Sequence, residues 1–195
     1  MMATIGIDID DVLSETILSF LDFYNKKHNT NFSFNQITDY SLSKALNIPD
    51  KDEMLNIFDF FNSDHAKNMN TTPYSKDIVH KLSKDNLLYA ISSRPTQLIE
   101  LTNIWLNKHY EGCFKEIILT NSSIDKSSTK SSVCISKGID YFIEDQVIFA
   151  KDCAEVCSKV ILLDKPWNRL KMNNSNIIRV KDWSCVISEL IESYN

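Results

Sequence analysis

The chain has 195 residues, 43% of them hydrophobic, and a formal net charge of -5 at pH 7. This length predicts one domain with a core of ordinary size and room for a small inserted subdomain. The acidic balance and the scattered lysines argue against a nucleic-acid polymer as a partner. No segment has the ~18 consecutive apolar residues of a membrane span, so we expect no membrane partner either.

The cysteines and the N-terminus indicate the compartment. The five cysteines form an odd number without the spacing of a disulfide framework. Cys153 and Cys157 lie in a helical pattern, where buried reduced thiols are more common than metal ligands. The N-terminus lacks the basic region and long apolar stretch of a signal peptide. We therefore expect a reduced, cytoplasmic protein.

Six apolar stretches are typical of buried strands, and stretches of helical periodicity follow most of them. The predicted strands are Thr4 to Ile9, Leu87 to Ile91, Glu116 to Thr120, Tyr141 to Ile143, Val160 to Leu163 and Ile177 to Val180. The predicted helices of this part are Asp77 to Lys84, Gln97 to Tyr110, Thr129 to Lys137, Val147 to Ser158 and Trp183 to Tyr194. The alternation predicts an α/β fold, a doubly wound parallel sheet with helices on both faces.

The interval between the first two predicted strands is far longer than a βαβ crossover requires. It has only helical patterns, around Ile17 to Lys27 and Asp52 to Phe61. We therefore predict a small helical cap over residues 14–74, and a core domain made of residues 1–13 and 75–195. The cap would cover the carboxyl ends of the strands, where open α/β sheets bind ligands.

Carboxylates follow two of the predicted strands. Asp8 and Asp10 would emerge on the same side of the chain after the first strand, where they repel each other unless a cation or a difference in protonation compensates. Glu144 and Asp145 follow the fourth strand. If the two strands are neighbours, Asp8, Asp10, Glu144 and Asp145 offer oxygen ligands that suit Mg²⁺. Alone, the first pair is more simply explained as an acidic turn or helix cap.

Groups suited to phosphate follow the second strand. Ser92, Ser93 and Arg94 precede Pro95, which we predict as the first helical residue. Hydroxyls and backbone N–H groups at such a helix N-terminus can bind an anion, although an ordinary N-cap explains them as well.

A lysine opens the helix that leads into the fourth strand. Lys130 could keep Asp8 ionised and neutralise a phosphate. A solvated lysine is the alternative, and Lys126 is a second candidate for the same role.

These motifs, in this order, resemble the haloacid dehalogenase superfamily of aspartate-nucleophile phosphatases. The matching positions are Asp8-x-Asp10, Ser92, Lys130 and Glu144-Asp145. Within it, three stretches are similar to the cytosolic 5′-nucleotidase family, which includes the 5′(3′)-deoxyribonucleotidases. They are Ile5 to Leu13, Ser92-Arg94-Pro95, and Val160 to Arg169 with its Pro166-Trp167-Asn168-Arg169 segment.

The resemblance implies a Mg²⁺-dependent phosphomonoesterase. Asp8 would be the nucleophile that forms an aspartyl-phosphate, and Asp10 the general acid and base, with its backbone carbonyl on Mg²⁺. Ser92 and Lys130 would hold the phosphoryl group, and Asp145, with Glu144, would complete the metal site. Three positions depart from the family pattern: Ser92 stands where threonine is common, Asp11 where glycine is frequent, and Glu144 where an aspartate pair is usual.

The implied substrate is a small phosphomonoester, in the first place a (deoxy)nucleoside monophosphate. A sugar phosphate, or a non-catalytic phosphate-binding module, is the alternative, and a homodimer is left open. The cap contributes aromatic candidates for contact with a base, although their helical spacing is more typical of cap core. They are Phe20, Phe23, Tyr24, Tyr40, Phe58 and Phe61. Trp167 and Arg169 follow the fifth strand near the site, but the sequence assigns them no contact.

Overall fold

The computed structural model describes residues 2–121, 128–170 and 173–192, and Lys126 lies outside these ranges. Its strands are β1 (Thr4–Ile7), β2 (Leu87–Ser92), β3 (Glu116–Leu119), β4 (Tyr141–Glu144), β5 (Lys159–Leu163) and β6 (Ile177–Val180). They form one parallel sheet in the order β3-β2-β1-β4-β5-β6. This confirms the predicted α/β class.

Strand β1 occupies the centre of the sheet because its side chains suit burial on both faces. Ile5 and Ile7 are fully buried. At Gly6 a side chain would collide with the ring of Phe142 on β4, since an added Cβ would lie 2.5 Å from the ring carbon Cδ2. Pairing with β2 on one side and β4 on the other brings the carboxyl ends of these three strands together.

Helices cover both faces of the sheet. Those that follow residue 74 are α5 (Ser75–Leu82), α6 (Ile99–Tyr110), α7 (Lys130–Lys137), α8 (Val147–Ala154) and α9 (Val186–Glu192). Helices α5, α6 and α9 share one apolar core with β1, whereas α7 and α8 share another with the opposite face of the sheet. None of the helices in the described ranges combines the length and the apolar character that a bilayer crossing requires.

Several predicted ends move by a few residues. The first strand ends at Ile7 rather than Ile9, because the chain turns at Asp11, whose φ is +56°. Helix α6 is preceded by a 3₁₀ turn at Thr96–Leu98, with Pro95 one residue before that turn rather than inside it. Helix α8 ends at Ala154, short of the predicted Ser158.

The interval between β1 and β2 is helical, as its periodicity indicates. Its helices are α1 (Thr16–His28), α2 (Leu42–Leu46), α3 (Asp50–Phe61) and α4 (Asp64–Lys67). The predicted patterns correspond to α1 and α3, which pack through Phe20 and Phe60 with ring centroids 5.6 Å apart. Helices α2 and α4 have five and four residues and are too short to leave a periodic signal.

The two segments that join this helical interval to the sheet lie side by side. Backbone N–H groups of Glu15 and Thr72 donate to the carbonyls of Asn70 and Leu13, both at 2.9 Å. The Trp183 indole donates to the carbonyl of Val12 at 2.8 Å, which ties the segment after β1 to the turn before α9. The backbone around residues 8–14 is therefore held on both sides.

Candidate active site

A buried lysine joins two carboxylates at the end of the central strands. The Asp8 N–H donates to the carbonyl of Ile143 at 3.0 Å, so the residues after β1 still follow β4. Lys130 Nζ lies 2.9 Å from Asp8 Oδ1 and 2.7 Å from Glu144 Oε2. All three side chains are at most 5% exposed. The structure therefore brings these predicted site residues together.

Local structure places Lys130 at this point. The Thr129 hydroxyl accepts a hydrogen bond from Ser132 N at 3.1 Å, which caps α7 and makes Lys130 its first residue. The ammonium group lies 4.6 Å from the ring centroid of Phe149. Burial alone would lower the pKa of Lys130, but the charges of Asp8 and Glu144 outweigh it and raise this pKa. The lysine is thus a permanent cation.

Negative charge still exceeds positive charge in this cluster. Oxygens of Asp8, Glu144 and Asp145 lie within 4.8 Å of one another. Burial, followed by the charge of Glu144, raises the pKa of Asp8 well above its usual value. Burial and the charge of Asp8 raise the pKa of Asp145 to about 8. A compact set of buried oxygen donors with uncompensated charge fits a hard divalent cation such as Mg²⁺.

Glu144 and Asp145 differ in how many lone pairs remain for a metal. Glu144 Oε1 accepts from the N–H groups of Asp145 and Gln146, both at 3.0 Å, and Oε2 accepts from Lys130. Asp145 Oδ2 accepts from Trp167 Nε1 at 2.7 Å and from Gln146 Nε2 at 3.1 Å. Its Oδ1 has no hydrogen bond within the described ranges. Asp145 therefore keeps more acceptor capacity for a cation than Glu144, both of whose oxygens accept hydrogen bonds and one of which contacts Lys130.

The turn after β5 supports Asp145 from behind. Asn168 Nδ2 donates to the carbonyls of Asp145 and Leu163, both at 2.7 Å, while Trp167 holds the carboxylate itself. The sequence assigned Trp167 no contact, although a buried indole N–H needs an acceptor and Asp145 is a nearby anion. Arg169, by contrast, pairs with Asp164 at the surface.

Asp10 has a cation of its own. Arg94 Nε lies 2.9 Å from Asp10 Oδ2, and Nη2 lies 2.7 Å from Oδ1, which is a bidentate pair. Thr16 Oγ1 donates to the same Oδ1 at 2.7 Å. Burial would raise the pKa of Asp10, but the charge and hydrogen bonds of Arg94 outweigh it and lower this pKa. The Asp10 side chain thus lies outside the three-carboxylate cluster.

The residues after β2 are less available to a ligand than the sequence suggested. Ser92 is fully buried, and its Oγ accepts from Arg94 N at 3.2 Å. The guanidinium of Arg94 contacts Asp10 and Thr102 rather than projecting freely. Ser93 lines the cavity above Asp8. Of these three residues, Ser93 and Arg94 line the cavity, and Arg94 is paired with Asp10.

The backbone conformation at Asp11 explains why glycine would suit this position. Its φ of +56° lies in the left-handed region, which glycine adopts without strain and aspartate tolerates better than most residues. Both of its carboxylate oxygens accept from Ile17 N at 3.2 Å, next to the start of α1. Burial raises the pKa of Asp11 to about 7, against the opposing charge of Lys165. The acidic side chain thus compensates for the strained backbone.

A cavity of about 530 Å³ lies over these groups. Its floor includes Asp8, Asp10 and Asp145, and its roof comes from residues 14–74. Apolar and aromatic side chains dominate this roof, among them Ile17, Phe20, Tyr40, Met54, Ile57 and Phe61. Of the aromatic candidates, Phe20, Tyr40 and Phe61 line the cavity, whereas Phe23, Tyr24 and Phe58 are not among its lining residues. The arrangement suits a ligand with an anionic end and an apolar ring.

Comparison with known sequences identifies the family. Residues 1–193 match the family described as "5' nucleotidase, deoxy (Pyrimidine), cytosolic type C protein". The chain belongs to this family. It is 30% identical over 192 residues to "Putative nucleotidase YqfW" of Bacillus subtilis, with 93% of this chain and 90% of that protein covered. It is thus a phosphatase of the 5′-nucleotidase type.

Solved structures share the fold of this nucleotidase family member. The haloacid dehalogenase-like hydrolase SP0104 of Streptococcus pneumoniae has a TM-score of 0.71 at 11% identity, with 100% of this chain and 99% of that chain covered. The hydrolase YfnB of Bacillus subtilis, solved bound to magnesium, has a TM-score of 0.66 at 11% identity, with 97% and 99% covered. At such identities the likeness concerns the fold, and it confirms the resemblance found in the sequence.

Proposed function

We propose that the protein is a Mg²⁺-dependent phosphomonoesterase that works through an aspartyl-phosphate on Asp8, with (deoxy)nucleoside monophosphates as its substrates. One observation carries this proposal. Asp8 lies at the floor of the cavity between a permanent cation, Lys130, and the carboxylates of Glu144 and Asp145. A phosphate in the cavity would meet a nucleophile, a cation and a metal site at once.

In the first half-reaction, an Asp8 carboxylate oxygen attacks phosphorus while the bond from phosphorus to the ester oxygen breaks. Lys130 opposes the rise in the pKa of Asp8 and offsets charge on the phosphoryl oxygens. Mg²⁺, held by Asp8, Asp145 and the Asp10 carbonyl, would neutralise further phosphoryl charge. Asp10 gives its proton to the departing alkoxide, which a sugar hydroxyl needs as a poor leaving group.

In the second half-reaction, the ionised Asp10 takes a proton from water as the water oxygen attacks phosphorus. The bond between phosphorus and the Asp8 oxygen breaks, inorganic phosphate leaves, and both carboxyl groups return to their starting states. Arg94 lowers the pKa of Asp10 in the free protein. A bound phosphate dianion acts in the opposite direction, because a nearby like charge favours the protonated carboxyl.

The helical residues 14–74 would act as a cap over a core of residues 1–13 and 75–195. The apolar roof supports a nucleoside over a sugar phosphate, since a base can bury a ring there whereas a hydrated sugar cannot. Ser92 and Ser93 at the end of β2 and the Lys130 ammonium would contact the phosphate. The cytoplasmic location and a homodimer stay predictions.

A substrate panel tests this proposal. Purified protein with Mg²⁺ is offered deoxyribo- and ribonucleotides, 5′ and 3′ esters, and sugar phosphates, and phosphate release is measured. We expect the highest kcat/KM for a nucleoside monophosphate, and loss of turnover with EDTA that Mg²⁺ restores. Preference for a sugar phosphate would contradict the substrate assignment. Full turnover without a divalent ion would contradict the metal assignment.

A further inference from the structure

We propose that Arg94 is a positioning residue, which fixes the carboxylate of Asp10 toward the ester oxygen and does not bind the phosphate. This inference rests on the proposed function, because it takes Asp10 as the acid that serves the leaving group. The contacts of the guanidinium group carry the inference.

Every nitrogen of Arg94 already has a protein partner. Nε and Nη2 donate to the two oxygens of Asp10, at 2.9 and 2.7 Å. Nη1 donates to Thr102 Oγ1 at 3.0 Å, and Thr102 is fully buried. The Phe61 ring centroid lies 4.8 Å from the guanidinium carbon. The group is thus fixed by partners on several sides.

Burial shows which partner is the more accessible. Both residues line the cavity, but the Arg94 side chain is 4% exposed, whereas the Asp10 side chain is 30% exposed. Asp10 is therefore the partner that a substrate reaches more easily. A planar bidentate pair restricts rotation of the carboxylate more than a point charge does.

The helical interval contributes to the same orientation. Thr16, at the start of α1, donates to Asp10 Oδ1 at 2.7 Å. Phe61, at the end of α3, covers the guanidinium. Thr16 thus contacts Asp10 directly, and Phe61 contacts Asp10's partner, Arg94. The orientation of the acid depends on this packing as well as on the ion pair.

Leaving-group dependence tests the inference. We compare kcat/KM of wild type and Arg94→Lys for a nucleoside 5′-monophosphate and for p-nitrophenyl phosphate. The lysine keeps the charge but not the bidentate geometry. We expect a loss of about 10²-fold for the nucleotide, the scale expected when a catalytic group is misplaced by about 1 Å. Nitrophenolate leaves without a proton, so its kcat/KM should change little.

The ratio of the losses in kcat/KM for the two substrates reports on proton donation by Asp10. The parameter kcat/KM covers the steps up to departure of the leaving group, so slow hydrolysis of the aspartyl-phosphate does not enter it. In an Asp10→Asn background, which has no acid to orient, Arg94→Lys should cost the nucleotide reaction little more. A full further loss in that background would overturn the inference.

A second variant guards against a folding defect. Thr102→Val removes the acceptor behind Arg94 with nearly the same shape, and Thr102 is outside the cavity lining. We expect the same selective loss at smaller size, in a protein whose circular dichroism spectrum matches wild type, although the lost hydrogen bond lowers the melting temperature. Equal losses on both substrates, with weaker inhibition by inorganic phosphate, would assign Arg94 to the phosphate instead. A wild-type protein inactive on both substrates would remove the proposed function, and the role of Arg94 with it.

Discussion

The two cations that pair with Asp8 and Asp10 have similar partners but different surroundings. Lys130 contacts two of three clustered carboxylates, all of them buried in the sheet domain. Arg94 contacts one carboxylate, which is partly exposed and also bound by Thr16 from the helical interval. The first cluster has an excess of negative charge, whereas the second is balanced. A cluster with excess negative charge can bind a metal ion, whereas a charge-balanced pair can hold a carboxylate in a fixed orientation.

The pKa directions express the same difference. Burial and neighbouring carboxylates raise the pKa values of Asp8 and Asp145. The pKa of Asp10 is lowered, because the charge of Arg94 outweighs the effect of burial. Two aspartates separated by one residue thus receive opposite electrostatic environments.

Removal of the nucleophile should have the largest effect. Asp8→Asn cannot form the phosphoryl ester, so we expect kcat for a nucleoside monophosphate to fall by at least about 10³-fold. The fold should persist, since the change removes a buried charge and leaves Lys130 paired with Glu144. Steady-state kinetics and circular dichroism measure the two effects. Activity within tenfold of wild type would exclude covalent catalysis at this residue.

The buried cation should matter for stability as well as for turnover. Lys130→Met leaves Asp8 and Glu144 buried without their partner, and breaking such a pair costs roughly 3–5 kcal/mol. Urea unfolding at neutral pH measures the loss. Lys137 on the same helix is the matched control, because its pair with Glu116 is partly exposed and Lys137→Met should change stability little. Equal losses of stability in the two variants would show that the buried ion pairs contribute no more than the partly exposed one.

The sequence predicted much of this arrangement because strand ends in a parallel sheet have defined positions. Asp8 and Glu144 could be brought together on the condition that β1 and β4 are neighbours, as they are in the sheet, and Lys130 opens the helix that leads into β4. The partner of Arg94 could not be predicted in the same way. Its guanidinium spans several bonds beyond the backbone, and its contacts with Thr102 and Phe61 depend on how α6 and α3 pack. The partners of a long polar side chain can therefore be predicted only once the tertiary packing is known.

The remaining differences have similar causes. Trp167 lies 22 residues beyond Asp145, and only the pairing of β4 with β5 brings its indole N–H to the carboxylate. The short helices α2 and α4 depend on packing with α3 and α1 rather than on their own periodicity.

The two acidic residues after β4 should separate metal binding from structure. We expect Asp145→Asn to weaken Mg²⁺ binding by more than about tenfold. Glu144→Gln should instead lower stability by about 1–3 kcal/mol, because an amide cannot satisfy the two N–H groups and Lys130 together. Wild-type affinity should also fall below a pH of about 8, where a proton on Asp145 competes with the ion. Titration calorimetry measures the two changes in Mg²⁺ affinity, and scanning calorimetry measures the stability of the Glu144→Gln variant. Weaker Mg²⁺ binding in Glu144→Gln together with lower stability in Asp145→Asn would make Glu144 the main ligand.

The indole behind Asp145 should have the smallest effect of the series. Trp167→Phe keeps a ring against Phe34, whose centroid lies 5.3 Å away, but removes the N–H that donates to Asp145 Oδ2. Groups that orient a metal ligand typically contribute about 10-fold to 100-fold in affinity, and Gln146 still donates to the same oxygen, so we expect the lower end for Mg²⁺. Arg169→Gln, two residues on and largely exposed, is the control and should bind Mg²⁺ as wild type does. If both variants bind Mg²⁺ equally well, Gln146 alone orients the carboxylate, and the contribution of the turn after β5 is confined to its backbone contacts.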